Sequence, residues 1–242
     1  MSEFRTLRPS VAKKVILKAM SKKRPIFVWG PPGIGKSEVV DGISKSGDLG
    51  KTLVIDLRLL LMEPTDIKGY PFHNAKTGKM EWAPAADLPD DEVASQYDTV
   101  ILFLDELNSA PQSVQAAAYQ LILNRKIGTY SLPDNVVIVA AGNRESDRGV
   151  TFRMPSPLAN RFVHIEMAVN FDDWQTWAVK NDVHPDVVGY LSYHKGDLYD
   201  FDPKSSSRSF ATPRSWTYVS DLLDDDMDDY INKEMVVSSV GE

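Results

Sequence analysis

The 242-residue chain has no cysteine, which excludes disulfides, thiol catalysis and thiolate metal sites, and fits a reducing compartment. It has only four histidines, His73, His164, His184 and His194, and their separations do not match a metal-ligand pattern, so each reads as structural. No apolar run approaches the roughly 20 residues needed to cross a bilayer. The opening Met1-Ser2-Glu3-Phe4-Arg5 lacks the apolar core of a signal peptide. These absences predict a soluble, cytoplasmic protein with no membrane association. A surplus of positive charge is missing too: the net charge of −7 argues against a broad nucleic-acid footprint. The acidic run Asp221, Asp224, Asp225, Asp226, Asp228 and Asp229 lacks the glycine and ligand alternation of a calcium loop and reads as a solvated face.

What remains is ordinary globular material, 43% hydrophobic and 25% charged, long enough for one large α/β unit and a smaller appendage. Within it, Gly30-Pro31-Pro32-Gly33-Ile34-Gly35-Lys36-Ser37 matches the phosphate-binding pattern G-x-x-x-x-G-K-[ST] at every fixed position. Glycines let the backbone close around phosphates with its N–H groups turned inward. Lys36 adds a point charge for the β- and γ-phosphates, Ser37 a hydroxyl for Mg²⁺, and a helix from 36 to about 46 aims its positive end at the same anion. The preceding Ile26-Phe27-Val28-Trp29 reads as a buried strand feeding the loop. The predicted binding set is therefore Gly30, Pro31, Pro32, Gly33, Ile34, Gly35, Lys36, Ser37 and Glu38, with ATP and Mg²⁺ as cofactors.

A second apolar run, Thr99 to Leu104, ends in Asp105-Glu106. Ligands of open α/β sheets bind beyond the carboxyl ends of the strands, so Asp105 is expected beside the phosphates as a Mg²⁺ ligand, with Ser37, and Glu106 as the group that activates water. Further runs at 53–57, 136–140 and 162–166 bring the strands to five. Val114, Ala117, Ala118, Leu121 and Ile122 recur at helical spacing, with Ser109 as the expected N-cap. Alternating strands and helices imply a five-stranded parallel, doubly wound sheet. From about Ala168 the texture changes to Trp-rich helical segments, near 171–180, 185–194 and 213–223, separated by a polar stretch at 196–212 that reads as an exposed loop. Trp174 and Trp177 read as core.

The phosphate loop, Asp105-Glu106, Ala141-Gly142-Asn143 and Ser156-Pro157-Leu158-Ala159-Asn160-Arg161-Phe162 together resemble an AAA+ ATPase. More narrowly they resemble the MoxR branch, with CbbQ/NorQ-type and dynein-related AAA ATPases as its relatives. That branch carries two β-hairpin insertions, for which 65–83 and 124–135 are the candidates. The resemblance implies an AAA+ core over 1–167 and a small α-helical lid over 168–242. The chain stops where relatives continue the lid, and a missing final helix would expose apolar surface there.

By the same resemblance Asn143 places the attacking water. Arg161 is the finger that reaches a neighbouring subunit's site, with Arg148 and Arg153 as competitors for that role. Arg214 is the lid residue that senses the γ-phosphate. The implied assembly is a homo-oligomeric, usually hexameric ring that couples ATP hydrolysis to remodelling of a protein client, often a von Willebrand factor A domain protein. Two other classes stay open. One is a nucleic-acid motor or helicase loader gripping its strand through Lys68, Lys76, Lys79, Arg125 and Lys126. The other is a nucleotide switch that binds ATP without turning it over.

Overall fold

The structure is a computed structural model and describes residues 5–147, 151–152, 154–205, 207–223 and 226–241. At the centre of the main sheet the strands are buried on both faces, as parallel strands covered by helices must be, while its outer strands are partly exposed; six strands make up this sheet. They are β1 (Thr6–Leu7), β2 (Ile26–Trp29), β3 (Thr52–Arg58), β6 (Thr99–Asp105), β9 (Val136–Gly142) and β10 (Val163–Met167). The hairpin strands β4 (Tyr70–Asn74), β5 (Lys79–Ala83), β7 (Lys126–Ile127) and β8 (Tyr130–Ser131) stand apart from that sheet. Its six strands run parallel in the order β1-β10-β2-β9-β6-β3. The sequence predicts five strands; the sixth, β1, is a two-residue edge segment pairing Thr6 with Glu166 and Leu7 with Met167, too short to leave a periodic signature.

Alternate side chains of one strand feed two cores. Val100, Leu102 and Leu104 join the cluster under α5 (Gln112–Asn124), whereas Ile101 and Phe103 join the cluster under α1 (Pro9–Met20) and α2 (Lys36–Ser44). The stripe Val114, Ala117, Ala118, Leu121 and Ile122 is fully inside. The residue preceding that helix is Pro111, with no side-chain cap. Ser109 instead lies buried in the turn after β6, its N–H donating to the Glu106 carbonyl.

Two antiparallel hairpins interrupt the α/β alternation. In the first, β4 pairs with β5, and it follows the short helix α3 (Pro64–Lys68). The smaller one pairs β7 with β8, and its Thr129 hydroxyl donates to the Trp82 carbonyl of the first. The short helices α4 (Asp91–Ala94) and α6 (Ser156–Ala159) complete this part of the chain.

A third apolar cluster gathers Trp174, Ala178, Val187, Leu191, Leu198, Trp216 and Val219 from α7 (Phe171–Lys180), α8 (Pro185–Tyr193), α9 (Pro213–Leu222) and the stretch between. Side-chain caps fix where two of these helices start: Asn170 accepts from the Asp173 N–H, and Thr212 and Ser215 form a reciprocal capping box ahead of Pro213. The stretch 196–212 is less open than its composition predicts. Lys195–Leu198 forms a 3-10 turn, Leu198 and Ala211 are buried, and Asp200 bridges to Ala211. A final helix, α10 (Asp229–Val240), packs Val236 and Val240 on this cluster but buries no residue fully. Asp224 and Asp225 of the acidic run lie outside the described residues.

Candidate functional site

The loop after β2 opens at the place where the sheet order reverses, with β10 on one side of β2 and β9 on the other. Gly33 and Gly35 have φ values of 75° and 88°, a left-handed region that glycine enters without steric cost. Gly35 is also the N-cap of α2, so backbone N–H groups of the loop and the helix start converge on one spot. A Cβ on Gly30 would lie 2.9 Å from the Met167 carbonyl oxygen, so the loop can leave the sheet here only as glycine.

Lys36 extends back into this cradle. Its ammonium donates to the carbonyls of Gly30 (2.8 Å) and Pro31 (2.9 Å) and to Asn143 Oδ1 (3.1 Å). Loss of solvation lowers its pKa to about 8, against the raising influence of Asp105 and Asp147. The Ser37 hydroxyl donates to Asp105 Oδ2 at 3.4 Å. That pair of hard oxygens at the strand tip has the donor chemistry Mg²⁺ prefers. Glu106 takes a φ of 55°, uncommon for a side chain of its size, and its N–H donates to Asp105 Oδ1. The turn thus directs the two neighbouring acids along different paths. The structure brings Lys36, Ser37, Asp105, Glu106 and Asn143 to one end of three adjacent strands.

Arg214 reaches the same place from the other side. Its N–H donates to the Gly33 carbonyl at 3.2 Å, and its charge is close enough to Lys36 to disfavour the ammonium. A Cβ on Gly33 would lie 2.8 Å from the Thr212 hydroxyl oxygen, so the cap of α9 leans directly on the phosphate loop. A cavity of about 620 Å³ runs from Gly33–Glu38 to Pro9, Ser10, Val169, Trp174, Trp177 and Tyr218. Two hydrogen bonds cross it: Trp177 Nε1 donates to Glu38 Oε1 (2.7 Å), and the Ser10 N–H donates to Asp173 Oδ2 (2.7 Å). Both tryptophans line the cavity: Trp174 is buried in the helical core as its spacing predicts, whereas Trp177 packs only partly against that core and points its indole N–H to Glu38.

Arg161 lies elsewhere. It is exposed and precedes the amino end of β10, the strand whose carboxyl end, Met167, meets Gly30. At about 3.3 Å per residue it sits more than about 13 Å along the sheet from its own phosphate loop. Arg148 and Arg153 lie outside the described residues. Arg125 is held by the carbonyls of Pro133 and Val136, so it braces its own hairpin and is not one of the free basic tips.

Sequence reasoning misses three residues here. Asn108, almost completely buried, donates through Nδ2 to the Asn143 carbonyl, while its Oδ1 has no partner among the described residues. Arg144 and Asp147 form a tight pair beside Asn143. The available signal is that each lies within four residues of a strand tip already implicated, at positions where polar side chains are otherwise unexpected.

Among known proteins, the family model described as "AAA domain (dynein-related subfamily)" matches residues 25–162, more than half of the chain. Midasin of Giardia intestinalis is 27% identical over 212 residues, which is 79% of this chain and 4% of that protein; the chain thus spans a small fraction of its relative's length. NtrX from Brucella abortus superposes with a TM-score of 0.56 at 17% identity, covering 99% of this chain and 55% of the other. Its complex with ATP gives 0.51 at 16%, covering 100% and 55%. At such identities the likeness is one of fold.

Proposed function

We propose, from the premise that the chain belongs to the dynein-related subfamily of AAA domains, that it hydrolyses ATP in a ring of identical subunits and spends the resulting motion on a protein client, as in the MoxR branch. The observation carrying this reading is the Lys36–Asn143 contact at 3.1 Å beside the Ser37–Asp105 pair. It joins the phosphate-binding lysine to a neutral polar group at the tip of the adjacent strand, where an attacking water would stand.

Each role follows from placement. Lys36 exchanges protein oxygens for phosphate oxygens, which costs little because an ammonium has three equivalent donors. Ser37 and Asp105 would hold Mg²⁺, whose chemistry is to offset charge on the β- and γ-phosphates. Glu106 takes the water proton, Asn143 orients the same water, and Arg214 steadies the terminal phosphate from the helical side. Residues 1–167 form the nucleotide-binding unit and 168–242 the lid, with the hairpins at about 65–83 and 124–135 as candidate client contacts. Arg161, too far along the sheet to reach its own loop, completes the site of the next subunit. Clients with a von Willebrand factor A domain are the first to test.

The deciding experiment is ATP turnover per subunit against protein concentration, with Lys36→Ala and Arg161→Ala alongside. A rate that rises with concentration and collapses in both variants supports shared sites. A flat rate that survives Arg161→Ala removes the ring. One observation favours a nucleic-acid motor as a second reading: the first hairpin exposes Tyr70 and Phe72 beside exposed Lys76 and Lys79, a stacking and charge combination used on single strands. Salt-sensitive binding of single-stranded DNA with stimulated turnover would select it.

A further inference from the structure

Arg144 follows Asn143 directly, and its guanidinium makes four hydrogen bonds to carboxylates near the phosphate loop. Its Nε donates to both Asp147 oxygens (3.0 and 3.1 Å), Nη2 donates to Asp147 Oδ1 (2.7 Å), and its backbone N–H donates to Asp147 Oδ2 (2.9 Å). The remaining arm, Nη1, donates to Glu166 Oε1 at 2.9 Å. This is not a loose surface pair: the side chains of Asp147 and Glu166 are only 4% and 17% exposed.

The strands show what the contact spans. Gly142, Trp29 and Glu166 stand in register on β9, β2 and β10, so β2 separates the tips that Arg144 joins. Two strand spacings are about 10 Å, and the strand being crossed is the one that becomes the phosphate loop at Gly30. The same Gly30 accepts the Lys36 ammonium and donates its own N–H to the Gly142 carbonyl at 3.3 Å. Arg144 is therefore a strap over the root of the loop, anchored on one side next to Asn143 and on the other on β10. Asp147 serves as the buried post: unpaired, its carboxylate would compete with phosphate for Lys36, on which it already acts electrostatically.

We propose that Arg144 is a positioning residue for hydrolysis: by tying the tips of β9 and β10 across the phosphate-loop root, and by holding Asp147 in an ion pair, it sets the separation between Asn143 and Lys36 that aligns the attacking water. Arg144 touches neither nucleotide nor water and acts through Asn143. A guanidinium engaged by two carboxylates of its own subunit is also not free to serve as a finger in the next one. The inference rests on the ATPase reading and concerns how that site is held rather than which reaction it runs.

Arg144→Lys tests it, because lysine keeps the charge but lacks the planar fork needed to bind Asp147 twice and Glu166 at once. The expected result is a fall in kcat of about tenfold or more with the dissociation constant for a fluorescent ATP analogue within about twofold of wild type. A 1 Å displacement of a reacting group is enough for such a loss. Glu166→Gln, which keeps the acceptor oxygen at reduced strength, is expected to fall between wild type and Arg144→Lys. Melting temperature is followed for every variant, since a purely structural strap would lower stability and binding together while leaving kcat per folded, loaded site unchanged. That result, or a wild-type kcat in Arg144→Lys, overturns the proposal. Lys36→Ala separates the two layers: if it leaves turnover unchanged, the hydrolase reading fails and the role of Arg144 falls with it. If Lys36→Ala abolishes turnover while the Arg144 variants retain wild-type kcat, only the strap fails.

Discussion

Individual side chains at the phosphate site make separable predictions. Glu106→Gln keeps size and hydrogen bonding but not basicity, so ATP binding is expected to persist while kcat drops about a hundredfold or more, as measured by phosphate release. Lys36 gives a pH signature. Its pKa is lowered to about 8 by loss of solvation, so the unfolded chain binds the proton more tightly than the folded one. Stability carries the full cost of burying the ammonium below pH 8 and recovers it as pH rises toward the unfolded value. An anion beside the ammonium reverses that preference, so metal-free ATP should take up a proton on binding at pH 9 and lose affinity by up to about tenfold per pH unit above 8. Calorimetry in two buffers of different ionisation enthalpy, with chelator present, reads this uptake, and its absence would refute the assignment. Gly142→Ala drives a Cβ into Asn108 Oδ1, and Asn108 holds the Asn143 carbonyl. It should cost about 1–3 kcal/mol in a chemical denaturation curve. The loop was legible because its chemistry demands particular residue types at fixed spacing, the two acids because they end a buried apolar run, and Asn143 only through the family resemblance. Asn108, Arg144 and Asp147 were not, because their partners lie on other strands and only the sheet order brings them together.

At the scale of elements, the sequence revealed the central buried strands and the helices α2, α5, α7, α8 and α9, since those depend on local patterning, but it gave no reading of α1, α4 or α10. It failed where tertiary contact supplies the order. β1 exists only as a partner of β10, and the polar stretch 196–212 is pinned by Leu198 and Ala211 entering a core formed by distant helices. Ser109 was a reasonable cap by type, yet the chain uses it inside the turn after β6 and starts α5 after Pro111. The first hairpin depends on its root: Gly69 has a φ of 80°, and a Cβ there would collide with the Ala83 carbonyl oxygen. Gly69→Ala should therefore unseat β4 from β5 while the sheet survives. Hydrogen exchange should show lost protection confined to 70–83, with ATP affinity retained; a uniform loss across the sheet would show that the hairpin is integral to the core.

At the scale of the whole molecule, the two ends of β10 divide the labour: Met167 borders the chain's own phosphate loop, and Arg161 stands at the far end. Mixing Lys36→Ala subunits with Arg161→Ala subunits, each inactive alone, should restore part of the turnover, since some contacts then pair an intact loop with an intact finger. Absence of rescue with confirmed co-assembly would argue against the trans role. The contact between the capping residue Thr212 and Gly33 carries a further mechanical consequence. Because α9 rests on the loop that wraps the phosphates, with no intervening linkage, any rotation of the helical segment toward the sheet meets a hard stop at that glycine. The Arg214 N–H donating to the Gly33 carbonyl sits at the same joint, so a change in the curvature of the loop and a change in the tilt of α9 are one displacement seen from two sides.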